Sequence, residues 1–202
     1  MTQLPQVIGL TGKAGAGKTT AANWILRNHS KAMKLSFAQP LKKMFYELVR
    51  SSLPKGWPHT AQVYVDGAFK EDPIPFLANR SARELMQTLG TEWGRQTIQD
   101  DFWTVIAQGK LERLLGDERG ASDTPIIRAV FDDVRFQNEA EMIRSYGGVI
   151  IRVTRPQAVT DAAHASESEQ DAIVADITLD NDGDEDAFIA KLAAQLPPPE
   201  KA

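Results

Sequence analysis

Residues Gly12-Lys13-Ala14-Gly15-Ala16-Gly17-Lys18-Thr19 satisfy the pattern G-x-x-x-x-G-K-[ST], and the chemistry that pattern serves is the cradling of a polyphosphate. The run follows the apolar Val7-Ile8-Gly9-Leu10 and precedes Thr20-Ala21-Ala22-Asn23-Trp24-Ile25-Leu26, so it falls where a strand turns into a helix. In that setting glycines let successive backbone N–H groups converge on phosphate oxygens, and the positive end of the helix dipole adds attraction. Lys18 is expected to reach the β- and γ-phosphates of ATP, with Lys13 as extra positive charge in the loop. Thr19 or Thr20 would offer a hydroxyl to Mg²⁺, the usual spacing favouring Thr19. A glycine-rich turn with no ligand would not need Lys and Thr after its last glycine. A dinucleotide-binding reading fails, because no G-x-G-x-x-G occurs.

A second group of chemical residues closes another apolar run, Ile126–Phe131, with Asp132-Asp133-Val134-Arg135. In polyphosphate-binding enzymes a carboxylate at a strand end holds Mg²⁺, and a nearby guanidinium grips phosphate bidentately. If the strand stays extended through Val134, Asp133 and Arg135 project together while Asp132 faces the other way. An exposed Asp-Asp turn, with Arg135 paired to Glu139, is the alternative. An acceptor that carries its own phosphate needs further cations to cancel repulsion with ATP. Arg83, Arg95 and Arg135 are candidates for such a clamp, Lys42 is a weaker one, and Arg155 could close over the phosphates. Phe37, Trp93 and Trp103 could form a flat wall for a base, although a Trp in a helical segment is more often core. Gln87 could present an amide edge. His164 has no Cys, His or carboxylate neighbour at metal-ligand spacing, which suits a hydrogen-bonding role better than a zinc site.

These groups need a scaffold that delivers them to one edge. Five apolar runs read as buried parallel strands: Val7–Thr11, Met33–Phe37, Ile126–Phe131, Gly148–Thr154 and Asp176–Leu179. Helical stretches after the glycine-rich loop, near Asn138–Tyr146 and over Glu185–Leu196 alternate with them. This predicts an α/β fold with a five-stranded parallel sheet flanked by helices and ligands at the strands' carboxyl ends. The segment 39–115 is too long for a plain crossover and is expected to be a helical insertion. Within it, Ala82–Leu89 reads as a helix with Gly90 as its C-cap and Arg83 and Gln87 on one face. Proline-rich turns at 54–58 and 72–75 bracket a hairpin or loop at Gln62–Val65. Residues 116–123 read as a surface loop and 155–171 as loop-rich, while Asn181-Asp182-Gly183 could form a loop beside the donor base or an ordinary turn, the turn being favoured for its side chains.

The chain has 202 residues, 23 Lys plus Arg against 27 Asp plus Glu, a net charge of −4 and no Cys. The length suits one domain, 1–196, with core 5–38 and 124–196, insertion 39–115, and residues 197–202 as a tail. The negative balance predicts no direct binding to nucleic acid or an anionic membrane, and the absence of Cys excludes disulfides and thiolate chemistry. With no signal-like N-terminus and no long apolar run, a cytoplasmic location is expected. A homodimer is left open.

Several blocks together resemble the deoxynucleoside monophosphate kinases of tailed bacteriophages, members of the P-loop nucleoside monophosphate kinases. They are Gly12–Thr19, Ser36–Lys42, Arg83–Glu92, Gly94-Arg95, Asp100–Trp103, Asp133–Glu139 and His164–Glu167. The blocks Arg-x-x-x-Gln-x-x-Gly-x-Glu and Asp-x-Arg-Phe-x-Asn-Glu are far more particular than the glycine-rich loop. The resemblance spans about residues 5–192 and implies a five-stranded core, a helical monophosphate-binding insertion and a lid, here about 154–170. It implies ATP·Mg²⁺ as donor and a deoxynucleoside monophosphate as acceptor, and adds Ser36 and Glu139 to the substrate-binding set. At Thr19 some relatives carry an acidic residue. A kinase for another acceptor, such as dephospho-coenzyme A, and a nucleotide-binding regulator without transfer activity are the competing readings.

Overall fold

The structure is a computed structural model that describes residues 6–29, 31–115, 128–156 and 165–196. From the N-terminus, β1 (Val7–Thr11) leads into α1 (Lys18–Asn28), and β2 (Ala32–Leu35) into α2 (Gln39–Ser52). Next come α3 (Ala61–Val65), β3 (Pro73–Ile74), β4 (Arg80–Ser81), α4 (Ala82–Gln87), a π-helix over Thr88–Ile98 and α5 (Phe102–Leu115). The chain closes with β5 (Arg128–Phe131), α6 (Gln137–Ser145), β6 (Val149–Thr154), α7 (Ala165–Ala172), β7 (Ile177–Asp180) and α8 (Glu185–Gln195).

Five strands form a parallel sheet in the order β2-β5-β1-β6-β7. β1 is central and buried at every position, which is why its sequence is apolar from Val7 through Leu10 instead of alternating. Its side chains still divide by the strand period of two. Val7 joins Ala129, Phe131 and Ile150 in one apolar cluster, sealed by Ala107 and Leu111 of α5 and Ala140 and Ile143 of α6. Ile8 and Leu10 join Val130, Ile151 and Val153 in the other, sealed by Ala21 and Ile25 of α1 and Phe188 and Leu192 of α8. The right-handed crossovers of such a sheet bring the loops after β1, β5, β6 and β7 to one edge.

The chain divides into two compact units, Met1–Phe37 with Ala107–Ala202, and Ala38–Ile106. The second has its own apolar cluster, in which Phe45 and Val49 of α2 meet Tyr64, Ile74 and Met86. Its hairpin lies at β3 and β4, not at Gln62–Val65, which forms the helix α3. The proline turn at 72–75 had concealed the real hairpin, whose loop is closed by Ala78 and Asn79 in the left-handed region, at φ 58° and 55°. Gly90 does not cap a helix either. The chain passes from α4 directly into the π-helix, and the Gly90 carbonyl accepts a bond from the Trp103 indole N–H at 2.8 Å. α4 starts as its sequence requires: the Ser81 hydroxyl accepts from the Glu84 N–H while the Glu84 carboxylate accepts from the Ser81 N–H.

β5 ends at Phe131, so the alternation expected through Val134 stops three residues early. The stretch 155–171 contains most of α7 and is not loop throughout. The expected surface loop at 116–123, residues 157–164 of the expected lid, His164 among them, and the tail 197–202 lie outside the described residues. Among the described residues no helix is long and apolar enough to cross a membrane.

One titratable side chain is buried away from the carboxyl edge. His29, the C-cap of α1, is 2% exposed, and neither ring nitrogen makes a hydrogen bond of ordinary geometry among the described residues. Burial, followed by the charge of Arg128, lowers its pKa below the ordinary value of 6.5, against a weaker opposing pull from the Leu196 backbone. The unfolded chain therefore binds a proton that the folded protein resists, and stability is kept above pH 6.5 and lost as pH falls below it. Urea unfolding at about pH 7.5 and about pH 5.5 is expected to show wild type losing about 1 kcal/mol more than His29→Gln over that interval. Equal losses in both proteins would show that His29 does not titrate differently on folding.

Candidate active site

The loop after β1 turns on three glycines in backbone conformations that other residues rarely adopt: Gly12 at φ 130°, Gly15 at 76° and Gly17 at 112°. Gly12 also lies against β6 so closely that an added Cβ would stand 2.1 Å from the Val153 carbonyl oxygen. Gly17 caps α1 in the left-handed region, which presents the first N–H groups of the helix to the loop's concave side. The Lys18 ammonium folds back over this loop, bonding the Gly12 carbonyl and, at 2.8 Å, the Lys13 carbonyl. Ala16 is fully buried, so the loop is anchored through its interior as well as by its glycines.

Two amide side chains that sequence reasoning missed brace this loop. Asn181, directly after β7, is buried and donates to the Ala16 carbonyl at 2.8 Å; its Nδ2 stands 2.6 Å from where a Cβ on Gly17 would be. The turn reading of Asn181 is thereby corrected: its position at the carboxyl end of a strand was the available signal. Gln170, on α7, is 2% exposed and donates from Nε2 to the Gly12 carbonyl at 3.1 Å and the Val134 carbonyl at 3.2 Å. No motif in the sequence marked it. The loop after β7 is itself held by Lys191, which bonds the Asp180 carbonyl and the Asp182 carboxylate and keeps the latter below its ordinary pKa range.

A cavity of about 400 Å³ opens over the glycine-rich loop. Gly15, Gly17, Lys18, Thr19 and Thr20 line one side and Arg155 adds a second cation, while Asn181, Gly183, Asp184 and Glu185 line the rest with Phe188. With Lys18 and Arg155 as well as Asp184 and Glu185 in its lining, it offers phosphates the loop and leaves hydrogen-bond acceptors for an uncharged polar portion of the ligand. Both threonines line this cavity, and Thr19 is the more exposed. Lys13 and Asp133 are not among the lining residues.

Asp133 is built into the ends of two neighbouring strands. β2 and β5 pair in parallel with Leu35 opposite Phe131, so the chain after each lies side by side. There the Ser36 hydroxyl donates to Asp133 Oδ2 at 2.7 Å and the Phe37 N–H to Oδ1 at 3.1 Å. Asp132, by contrast, is ion-paired to Lys34 of β2 at 2.6 Å. Glu139 is held by the backbone at the start of α6. Its carboxylate, 3% exposed, accepts from the backbone N–H groups of Arg135 and Phe136 at 2.8 and 3.2 Å and caps α6, a structural use in place of an open substrate contact.

The remaining expected residues divide by burial. Phe37 is 2% exposed and stacks on Phe131 at 4.6 Å inside the sheet's cluster, so its ring is core and not a base platform. Trp103 is likewise core: its indole fills the space that the missing side chain of Gly94 leaves. Arg95 is buried, with Nη1 donating to the Asp100 carbonyl at 2.9 Å, an internal brace where an open clamp was expected. In the second unit Trp93 keeps its ring at the surface, edge-on to Phe102. Arg83, one turn before Gln87 on α4, pairs with Glu71, and Lys42 pairs with Asp66 at 2.6 Å; both cations remain partly exposed. Among the described residues no group of three or more His, Cys, Asp or Glu is placed to hold a metal ion.

The family model for deoxynucleotide monophosphate kinase matches residues 74–192. A protein of Acanthamoeba polyphaga mimivirus, provisionally named deoxynucleotide monophosphate kinase, is 32% identical over 92% of this chain and 93% of its own length. The deoxynucleoside-5'-monophosphate kinase of Escherichia phage T5 is 25% identical over 68% of this chain and 71% of its own. Among solved structures a dephospho-CoA kinase from Campylobacter jejuni is a distant likeness, with 10% identity, 96% of each chain covered and a TM-score of 0.49. With the phosphate-binding loop, the parallel sheet that carries it and a relative matched over nearly its whole length, the chain belongs to the deoxynucleotide monophosphate kinase family, enzymes of the nucleoside monophosphate kinase class.

Proposed function

We propose that this kinase transfers the γ-phosphoryl group of ATP to deoxynucleoside 5'-monophosphates, giving diphosphates for nucleotide synthesis, in the cytoplasm of the cell where its gene is expressed. The observation that carries the donor half is the cavity over the glycine-rich loop, with Lys18 and Arg155 in its lining. Backbone N–H groups and Lys18 would bind the triphosphate, and Arg155 would offset charge that spreads over the transferred group. Mg²⁺ fits the donor set, because Thr19 and Asp133 supply a hydroxyl and one carboxylate, the sparse protein ligation this ion takes when phosphates complete its shell. When bound, the ion would neutralise charge between the phosphates. Asp133, aimed by Ser36 and Phe37, would hold its carboxylate in a fixed direction for that purpose.

On the acceptor side, Arg135 is the clamp cation on the sheet's edge, while Arg83 and Gln87, with Trp93 and Lys42, are the candidates in the second unit. Arg83 would supply positive charge and Gln87 an amide edge for the base. What supports this for Arg83, Gln87 and Trp93 is their place inside the stretch that the family model matches, and for all four their partial exposure.

A coupled ADP-release assay tests the proposal. Deoxynucleoside monophosphates are expected to be phosphorylated efficiently, and free nucleosides, shikimate and dephospho-coenzyme A poorly, since a clamp of arginines is matched to an acceptor phosphate. Efficient turnover of dephospho-coenzyme A with none of any deoxynucleotide would overturn it.

A further inference from the structure

Gln170 lies outside every motif of the sequence, yet it joins three parts of the carboxyl edge. Its side-chain amide spans the Gly12 carbonyl, in the phosphate-binding loop, and the Val134 carbonyl, between Asp133 and Arg135. Its own carbonyl accepts from Arg152 of β6 at 3.0 Å, and the same guanidinium bonds the Ile173 carbonyl at 2.6 Å, which fastens the end of α7 to the sheet. Both side-chain partners are carbonyl oxygens, so the amide nitrogen must be the atom that faces them.

The Gly12 carbonyl has a second donor, the Lys18 ammonium. To reach the phosphates of a bound nucleotide, Lys18 has to let go of that oxygen. Gly12 is buried against β6, and a buried carbonyl left without a donor is costly. A carbonyl has two lone pairs, and Gln170 occupies the other, so Gly12 stays satisfied when Lys18 moves.

We infer that Gln170 is a positioning residue for phosphoryl transfer: it keeps the Gly12 carbonyl satisfied while Lys18 is engaged on phosphate, and sets the spacing between that loop and the Asp133–Arg135 loop. The inference rests on the proposed kinase reaction. It predicts that loss of the amide weighs more on the nucleotide-engaged enzyme than on the free one, and so more on kcat than on the KM of the acceptor.

The test compares wild type, Gln170→Met and Gln170→Glu, with kcat taken per folded molecule from circular dichroism. Gln170→Met keeps the side-chain length and removes both bonds. It is expected to lower kcat about tenfold, with acceptor KM within about twofold of wild type. Gln170→Glu also sets an acceptor against two carbonyls and is expected to lose about a hundredfold. Should either variant fail to fold, Gln170→Asn, whose amide falls one methylene short, is expected to show the same kcat-specific loss at about threefold to tenfold. Thermal shifts with and without ATP·Mg²⁺ separate this claim from the reaction itself. The stabilisation by ATP·Mg²⁺ is expected to shrink in Gln170→Met by at least about half, whether or not deoxynucleotides are turned over. Wild-type kcat per folded molecule, or, if wild type phosphorylates no deoxynucleotide, an undiminished ATP·Mg²⁺ shift in Gln170→Met, would overturn the assignment. Failure of wild type on every deoxynucleotide would instead overturn the proposed reaction.

Discussion

Lys18→Ala is expected to fold normally and to transfer phosphate about a thousandfold more slowly than wild type, because it removes the ammonium held over the phosphate-binding loop. The fold survives because the ammonium's two carbonyl partners are not left stranded. The Gly12 carbonyl keeps its bond from Gln170, and the Lys13 carbonyl also accepts from the Ala16 N–H at 3.2 Å. The loss falls on the reaction because charge on the transferring phosphoryl group peaks in the transition state, where a lysine free to follow the β,γ-bridge contributes most. Initial rates of ADP release at saturating ATP, beside a circular dichroism melt, check both halves. Near-wild-type turnover in a folded Lys18→Ala protein would remove the glycine-rich loop from the donor site.

The second large effect separates two adjacent carboxylates. Asp133→Asn is expected to lower kcat by about two powers of ten, the scale of one preorganised electrostatic group, with the deficit only partly relieved by excess Mg²⁺. Asn keeps the size and can still accept from the Ser36 hydroxyl or the Phe37 N–H, so a fall in kcat reports lost charge and not lost shape. Asp132→Asn removes a partner of Lys34, whose own side chain is exposed and can be solvated in its place, and is expected to cost no more than a few fold in kcat. Both variants should be titrated with Mg²⁺ at saturating ATP. A larger loss for Asp132→Asn would exchange the roles of the two residues.

The sheet was legible because buried strands advertise themselves: Val7–Thr11 was read to the residue, and each of the other four runs overlaps an observed strand. The glycine-rich loop was legible because its chemistry demands particular residues at fixed spacing. What stayed hidden depends on contacts distant in sequence. Gln170 and Gly12 are 158 positions apart, and no local pattern could have joined them. Phe37 and Trp103 were misread for a related reason: aromatic rings suit a base or a core equally well, and only the positions of Phe131 and Gly94 decide between the two. Gly90 failed as a helix stop because a glycine marks a C-cap only when the chain leaves the helix there. Here it continues in a wider winding, with an indole N–H on its carbonyl. The choice of Asp133 over Asp132 followed the Asp-x-Arg-Phe block, whereas the strand alternation expected to carry both Asp133 and Arg135 stops at Phe131. The orientation of Asp133 comes from the pairing of β2 with β5, which a single strand's periodicity does not reveal.

The second unit's private apolar cluster has a consequence for how such an enzyme changes over generations. Among the described residues, the cluster of Phe45, Tyr64, Ile74 and Met86 shares no member with either cluster of the sheet. Substitutions that reshape α4 around Arg83 and Gln87 should therefore add independently to substitutions in the sheet. If Arg83 and Gln87 meet the base as proposed, preference for one base or another could drift by mutation in this unit while the phosphate-binding loop is inherited unaltered. A lineage facing a different nucleotide pool, or an engineer seeking a different base preference, would then vary first the stretch of about seventy residues over 38–106.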